Sequence, residues 1–478
     1  MVNTQELITA DYCVIGGGSA GLSFAAGAAQ MGATVILIES HKMGGDCLNY
    51  GCVPSKALLA ASRFGADAIQ AGNFGWSLQD LKVDYHKIYE HIHKVIANIA
   101  PNDSIERFEK LGVQVIIDSA KFIDAKTIET TKYIIKAKRF IVATGSTPFV
   151  PPISGLENVT FYTNETIFDL TVLPQELVVI GGGPIGIELA QAFHNLGSKV
   201  TVLEAFTALP KDDPELTNSL KQMLRQQGIN IKEHMQIEAV QQVNDKIQFS
   251  CIDENSQKLT IFASHVLVAA GRRANIQHLN LAAAKIAVTP QGIVVDKSLR
   301  TSNNRVYAIG DCVGGLQFTH VAGYHAGLVI RNSIFKLCVK VQTNAIPWVT
   351  YVEPELANVG LLESQAIQQG IAHKVLKLSF AENDRAQAEN RTNGIIKAVV
   401  SPKGYILGVS ILGHNAGELI YPWVIAINNN LKLTAIAGSI APYPTLNDIS
   451  KRLAGNFYTS KIFSPTMHKI VKLLMSIT

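Results

Sequence analysis

A chain of 478 residues is too long for a single hydrophobic core, which leads one to expect about three domains. Its 47% hydrophobic and 17% charged residues describe an ordinary globular protein and exclude a disordered one. A net charge of +4 gives no case for nucleic-acid binding at this length, and six cysteines, only two of them close together, exclude a secreted disulfide scaffold.

The segment Met1–Ala10 has no basic n-region and shows no signal peptide, so the protein reads as soluble and cytoplasmic. Tyr12 to Ile38 carry no charge, as a membrane span would, yet the run is punctuated by Gly16, Gly17, Gly18, Gly21, Gly27 and Gly32. Gly16, Gly18 and Gly21 match G-x-G-x-x-G after the short strand Asp11–Ile15. A helix over Leu22–Met31 and a strand over Thr34–Ile38 follow, the latter ending at Glu39 and Ser40. Glycines at these positions permit a tight turn and let a pyrophosphate sit on a helix N-terminus at Ser19 and Ala20, while the acid binds a ribose hydroxyl. Cys13, in the strand, reads as core.

Next comes GGDCLNYGCVPSK, residues Gly44 to Lys56, with Gly45 and Asp46 just before Cys47, and Cys52 five residues further on. If this segment is helical, residues four apart stack and residues five apart are displaced around the axis. A slightly distorted turn would still bring the sulfurs within disulfide range. Alone, such a pair is weak evidence; its place directly after a dinucleotide fingerprint makes a redox role the stronger reading. Helices are expected over Ala57–Ile69 and Val83–Ile99, a strand over Val113–Ile117, and a small antiparallel meander over Lys121–Lys136. A buried strand from Arg139 breaks at Ala143, Thr144 and Gly145, and Pro148–Pro152 reads as a linker.

About 165 residues after the first fingerprint a second follows. It comprises strand Leu177–Ile180, a turn with Gly181, Gly183, Pro184, Ile185 and Gly186, helix Ile187–Leu196, and strand Lys199–Leu203 ending at Glu204. A carboxylate here binds the ribose hydroxyls of NADH and repels the 2′-phosphate of NADPH. With Lys211 and Arg225 as the nearest basic residues, NADH is favoured. After His265–Gly271 the chain returns to the first domain. Thr301–Asp311 reads as a strand closing on Gly310 and Asp311, an acid placed for a ribityl or ribose hydroxyl, with a helix N-cap as the plainer alternative. His320 and His325 are expected to pack rather than to bind metal, and Cys312 and Cys338 to be core, Cys338 within a helical stretch. From Pro347 strands over Val349–Val352, Lys374–Leu378, Gly394–Val400 and Ile406–Leu412, with helices over Ala416–Asn428 and Leu446–Ala454, suggest an α+β domain. The expected boundaries are 1–155, 156–272, 273–345, 346–458 and a tail over 459–478.

These motifs, with ATGSTP, YAIGDC and PELANVG…AGELI, resemble the FAD- and pyridine-nucleotide-dependent disulfide oxidoreductases, the group of dihydrolipoamide dehydrogenase, glutathione reductase and mercuric reductase. The resemblance spans about residues 10–455. It implies an α/β fold with two Rossmann-like domains and an α+β domain that forms a homodimer. It assigns Gly16–Gly21, Glu39, Thr144, Gly145 and Asp311 to FAD, and Gly181–Gly186 and Glu204 to the nicotinamide nucleotide. Cys52 would be the thiol beside the flavin and Cys47 the one facing substrate, with Lys56 and Glu188 as an ion pair near the flavin.

One departure matters. Where the family's disulfide reductases carry His-Pro-Thr and a following glutamate, this chain has Tyr443-Pro-Thr and, further on, Asp448. A tyrosine near pKa 10 cannot shuttle a thiol proton at neutral pH as a histidine near 6.5 does. Tyrosine there, like the runs 320–327 and 385–394, resembles the mercuric reductases. Yet no CxxC precedes residue 10, and Lys472–Thr478 lacks the vicinal cysteines that relay mercury in that branch. The sequence therefore points to reduction of a soft metal or another small acceptor through Cys47 and Cys52. A dihydrolipoamide dehydrogenase-like disulfide reductase, a quinone reductase at the membrane surface and a low-turnover redox sensor are the alternatives. In the tail, Ser464-Pro465 reads as a helix start before an apolar stripe flanked by lysines. Docking against the chain's own body or its dimer partner is expected, with an anionic membrane surface as the alternative.

Overall fold

The uncharged run between Tyr12 and Ile38 folds as strand, glycine turn, helix and strand, with boundaries Glu6–Ile15, Ser19–Gln30 and Val35–Glu39. The computed structural model describes residues 5–77 and 82–477, so residues 1–4 of the N-terminal segment and Thr478 of the tail lie outside the described residues. Among the described residues no helix is long and apolar enough to cross a membrane. The chain divides into two compact units, Met1–Phe206 with Lys232–Val341, and Thr207–Ile231 with Gln342–Thr478.

The first unit is built on a parallel sheet in the order Val113–Ile117, Val35–Glu39, Glu6–Ile15, Tyr133–Val142, with Val306–Ala308 beside the last. Its strands are near-continuous apolar runs because both faces are covered: Val14, Leu37 and Ile141 pack into one layer, Ile36, Phe140 and Val142 into the other. Register aligns Ile15 with Ile38 and with Val142, and Val142 with Ala308. The chain therefore leaves the sheet at Gly16, Glu39, Ala143 and Ile309 on one edge, the carboxyl ends where ligands bind in such folds. A second parallel set repeats the arrangement, with Glu176–Ile180 between Lys199–Leu203 and His265–Val268. Ile180 aligns with Leu203 and Val268, which brings Gly181, Glu204 and Ala269 out together.

Two expectations change here. The strand expected over Thr301–Asp311 is only Val306–Ala308, because Asn303 turns the chain by donating its side-chain amide to the Ala125 and Ala284 carbonyls. Cys338 is neither core nor helical. The helix Thr319–Ser333 has ended, and Asn332 clasps Val339 through both its backbone N–H and its carbonyl, leaving Cys338 exposed on the intervening loop.

The second unit holds a five-stranded antiparallel sheet in the order Pro347–Thr350, Glu355–Gly360, Ile406–Gly413, Ile395–Val400, Lys374–Ser379. Glu355–Gly360 escaped the sequence reading because buried polar residues interrupt its apolar pattern. Glu355 accepts from the Gly417 N–H at 2.8 Å, and Asn358 donates to Asp212 at 2.7 Å. The expected helix over 416–428 is two, Ala416–Leu419 and Tyr421–Asn428, broken where Pro422 has no N–H to donate. Trp423, fully buried, donates its indole N–H to Ser450 and anchors the core under the sheet.

Lys397 crosses this core to Asp213 at 2.9 Å, Glu215 at 3.0 Å and Glu363 at 2.6 Å. Burial alone would lower its pKa, but the hydrogen bonds to the three carboxylates outweigh it and raise it. Lys397→Met leaves the buried Asp213 carboxylate without its cation and should cost about 3–5 kcal/mol, read from chemical denaturation; a change within 1 kcal/mol would show that water or a rearranged neighbour neutralises the site.

Candidate functional site

Both glycine turns have the make-up an anionic dinucleotide needs. Gly16 has φ +109°, and a Cβ there would stand 2.3 Å from the Ala143 carbonyl oxygen; at Gly181, φ +111°, the same atom would stand 2.4 Å from that of Ala269. At Gly21 and Gly186 a Cβ would collide with the Gly16 and Gly181 carbonyls, so the helix packs directly on the turn. The helices Ser19–Gln30 and Pro184–Asn195 begin at Gly18 and Gly183 with no side-chain cap and no acid in the first turn. Their leading N–H groups are thus open to a phosphate. Ser19 and Ala20 form the first turn of one helix, Pro184 and Ile185 that of the other.

Each turn is braced by its acid in the same way. Glu39, buried, accepts from the Gly17 N–H at 2.6 Å and the His41 N–H at 2.7 Å. Glu204 accepts from the Gly182 N–H at 2.6 Å and the Phe206 N–H at 2.8 Å. Two backbone donors fix each carboxylate at its strand end and leave acceptor capacity for ribose hydroxyls. Ser40 is exposed beside Glu39, and Gly145 and Gly271, both with positive φ, follow the two strand ends.

The cysteine segment lies on the first turn. The Gly44 N–H donates to the Gly17 carbonyl at 2.9 Å, and Gly45, with φ +59°, meets Gly18 backbone to backbone, where a Cβ would sit 2.6 Å from the Gly18 Cα. The segment is two helices, Gly45–Asn49 and Cys52–Gln70, with Tyr50 and Gly51 between them. This is the distorted turn that brings the cysteines together: both are free thiols, and they hydrogen-bond each other. Cys52 Sγ also lies 3.4 Å from the Thr319 hydroxyl.

The thiols are electrically unequal. The hydrogen bond from Cys47 pulls the Cys52 pKa down to about 6 against its burial, assisted by Thr319 and the Lys56 charge. The same bond, then burial, pushes Cys47 well above the ordinary thiol range. Lys56, one turn into the second helix, pairs at 2.7 Å with the buried Glu188 of the helix Pro184–Asn195, so one ion pair ties the cysteine segment to the second nucleotide turn.

A polar chain that the sequence reading missed holds these pieces in register. Asp311, whose pKa is raised by burial, accepts from Ser146 at 2.7 Å. Arg272 donates to the Ser146 hydroxyl and carbonyl at 2.7 and 2.8 Å and reaches Asp46 at 3.1 Å. Asn164 donates to Asp46 and to the Tyr50 carbonyl, each at 3.1 Å. The sequence signals available were Arg272 directly after Gly271, and Thr319 at the start of the helix carrying His320. Asn164 had none. Gly310 precedes Asp311 with φ +72°, and its N–H donates to His325 at 3.3 Å; burial pushes His325 down to about 4. His320 stacks on Phe318. Cys312 is fully buried and hydrogen-bonds the Val142 and Ile309 carbonyls, and Cys13 is core. Among the described residues no cluster of three or more His, Cys, Asp or Glu is placed to hold a metal.

In the second unit, Tyr443 is exposed and donates its hydroxyl to Asp384 at 2.9 Å; that bond raises its pKa. Asp448 opens the helix Asp448–Ile462.

Two dinucleotide cradles and a paired dithiol define an oxidoreductase that works with two nucleotide cofactors. Residues 10–326 match the pyridine nucleotide-disulphide oxidoreductase family, and residues 346–454 match its dimerisation domain. A mercuric reductase of Bacillus cereus is 36% identical over 91% of this chain and 69% of its own. A dihydrolipoyl dehydrogenase of Geobacillus stearothermophilus is 34% identical over 95% of this chain and 97% of its own. The Cu(II) complex of the HOCl-induced flavoprotein disulfide reductase RclA from Escherichia coli superposes with TM-score 0.84 at 28% identity, covering 93% of this chain and 99% of its own. The chain belongs to the pyridine nucleotide-disulphide oxidoreductase family, whose members depend on FAD and a pyridine nucleotide. Its dimerisation domain supports a homodimer.

In the reduced protein, alkylation of the dithiol should rise with pH through a midpoint near about 6, not near the ~8.5 of a free cysteine. Lys56→Met and Thr319→Val should each move that midpoint upward. An unmoved midpoint in both variants would leave the Cys47 hydrogen bond as its whole cause.

Proposed function

We propose that the protein is an NADH-dependent FAD oxidoreductase whose cysteine pair reduces a thiophilic metal ion of the mercuric kind, in preference to a conventional disulfide. The observation that carries this reading is Tyr443. Its hydroxyl is committed as a donor to Asp384 and its pKa is raised, so at neutral pH it neither takes up nor shuttles a thiol proton. Disulfide interchange needs such a shuttle, which the family resemblance places at this position as histidine. A soft cation held by two thiolates does not.

Cys47 and Cys52 would hold the ion between them. Cys52 is already disposed toward thiolate, and the metal displaces the proton of Cys47. NADH gives up two electrons as hydride, Hg(II) takes two to become Hg(0), and NAD+ and a proton are released. FAD, when bound, supplies the relay between nicotinamide and cysteine pair. Gly16, Gly18, Ser19, Ala20 and Gly21 would cradle its pyrophosphate, Glu39 its ribose, and Asp311 its ribityl chain. The contact of Gly45 on Gly18 supports giving FAD the first turn, since the cysteine pair is fastened there. Lys56 would stabilise negative charge beside the dithiol, with Glu188 compensating the lysine. The mercuric reductases of Bacillus cereus and Staphylococcus aureus, at 36% and 35% identity, favour the same acceptor class.

The test compares NADH oxidation with Hg(II) in excess small thiol, with lipoamide and with a soluble quinone. Hg(II) turnover should exceed lipoamide turnover by about tenfold or more, and Tyr443→His should raise the lipoamide rate by a similar factor. Cys47→Ser should abolish Hg(II) reduction while NADH still bleaches the flavin. Faster lipoamide or quinone turnover in the parent protein would overturn the reading.

Glu204 supports NADH as the donor, because its carboxylate repels a 2′-phosphate and Arg225 is engaged by the Ile231 carbonyl at 3.2 Å. The kcat/KM for NADH should exceed that for NADPH by at least about tenfold, and Glu204→Ala should narrow the ratio. An unchanged ratio in the variant would remove Glu204 from the selection.

A further inference from the structure

We infer that residues 459–477 form a contact surface for an anionic lipid bilayer. Ser464 caps the helix Pro465–Met475 by accepting from the Met467 N–H at 3.2 Å, and proline occupies its first turn. At 3.6 residues per turn, Met467, Ile470, Val471 and Leu474 form one stripe, which Leu473 and Met475 widen to more than half the circumference. His468, Lys469 and Lys472 take the opposite side.

This apolar face is not docked on the chain's own body, the first of the two coverings the sequence led one to expect. The helix has no buried residue, and Leu473, Leu474 and Met475 are 64%, 59% and 72% exposed. Ile462 and Phe463, at the bend before the helix, extend the exposed apolar surface. An uncovered apolar surface of this kind marks an interaction site.

Charge selects the occupant. After Asp448 the sequence contains no further aspartate or glutamate, while Lys451, Arg452, Lys461, Lys469 and Lys472 follow. A second copy of this wholly basic segment would add like charge, with no acid on either helix to offset it. A bilayer surface meets both needs: acyl chains take Met467, Ile470, Val471 and Leu474, and the negative surface potential of anionic lipids attracts the positive charge of the segment as a whole. The match to the family's dimerisation domain ends at residue 454, ahead of this segment.

The experiment is cosedimentation of the FAD-loaded, full-length protein with vesicles of phosphatidylcholine alone and of phosphatidylcholine mixed with phosphatidylglycerol. Binding is expected with the anionic vesicles, weakening as salt rises, and little with the neutral ones. Ile470→Glu with Leu474→Glu, and separately deletion from Ser464 onward, should each lower partitioning by about tenfold or more. Flavin content and NADH-driven flavin bleaching should stay at parent levels in the double variant, which keeps the result readable if the deletion fails to fold. No binding by the parent protein, or equal binding by the double variant, overturns the inference. So does a deletion that splits the dimer while the parent ignores vesicles, since the helix would then be a subunit contact.

Discussion

The contact between Gly45 and Gly18 is the constraint on which the site depends. No residue with a side chain fits at Gly45, since its Cβ would stand 2.6 Å from the Gly18 Cα in a backbone conformation that only glycine adopts freely. The same approach lets the Gly44 N–H reach the Gly17 carbonyl, while the Gly17 N–H is held by Glu39. The first glycine turn, Glu39 and the entry to the cysteine segment are thereby one rigid piece of backbone. Where Cys47 and Cys52 lie is decided by the turn rather than by their own packing.

From that piece the ion pair Lys56–Glu188 reaches the second nucleotide turn. Glu188 is buried on the helix that starts at Gly183, so leaving it without its cation would strand a charge in the interior. The chain Asp311, Ser146, Arg272, Asp46 does the equivalent from the other side, joining three strand ends to the cysteine segment. Hydrogen bonds to charged groups are stronger than neutral ones, and a network in which each member satisfies another fixes the geometry of all of them. The cysteine pair is thus tied to both nucleotide turns by the chain's own contacts.

What could be read from sequence follows from where the physical demand falls. A backbone that must pass within contact of another backbone demands glycine, and so Gly16, Gly21, Gly181 and Gly186 were legible one residue at a time. Glu39 and Glu204 were legible because the strand before each has a clear length. The members of the Asp311 chain were not, because Ser146, Asn164 and Arg272 become neighbours only once separate strands have aligned. Cys338 was misread for the opposite reason. A small apolar residue near a helix looks like core unless the clasp of Asn332 on Val339, which pushes it outward, can be foreseen. The missed strand Glu355–Gly360 shows the same limit, since its buried Glu355 and Asn358 find partners far away in sequence.

The proposed preference for a soft metal ion turns on how the dithiol and Tyr443 would handle protons. Between the thiols, one hydrogen bond eases the first deprotonation and opposes the second, so the pair parts with one proton readily and holds the other tightly. On the proposed reading, interchange with a disulfide substrate would have to move the second proton at each turnover, and a tyrosine that donates to Asp384, standing where the family resemblance places histidine, would offer it no base. Metal binding removes the difficulty, because the cation itself displaces the proton and its charge is met by two thiolates. The same hydrogen bond that makes Cys47 a poor thiolate therefore matters little to a soft cation and greatly to a disulfide. On the proposed reading the cysteine pair common to the family is left unchanged, and the choice of acceptor would rest on a single side chain outside it.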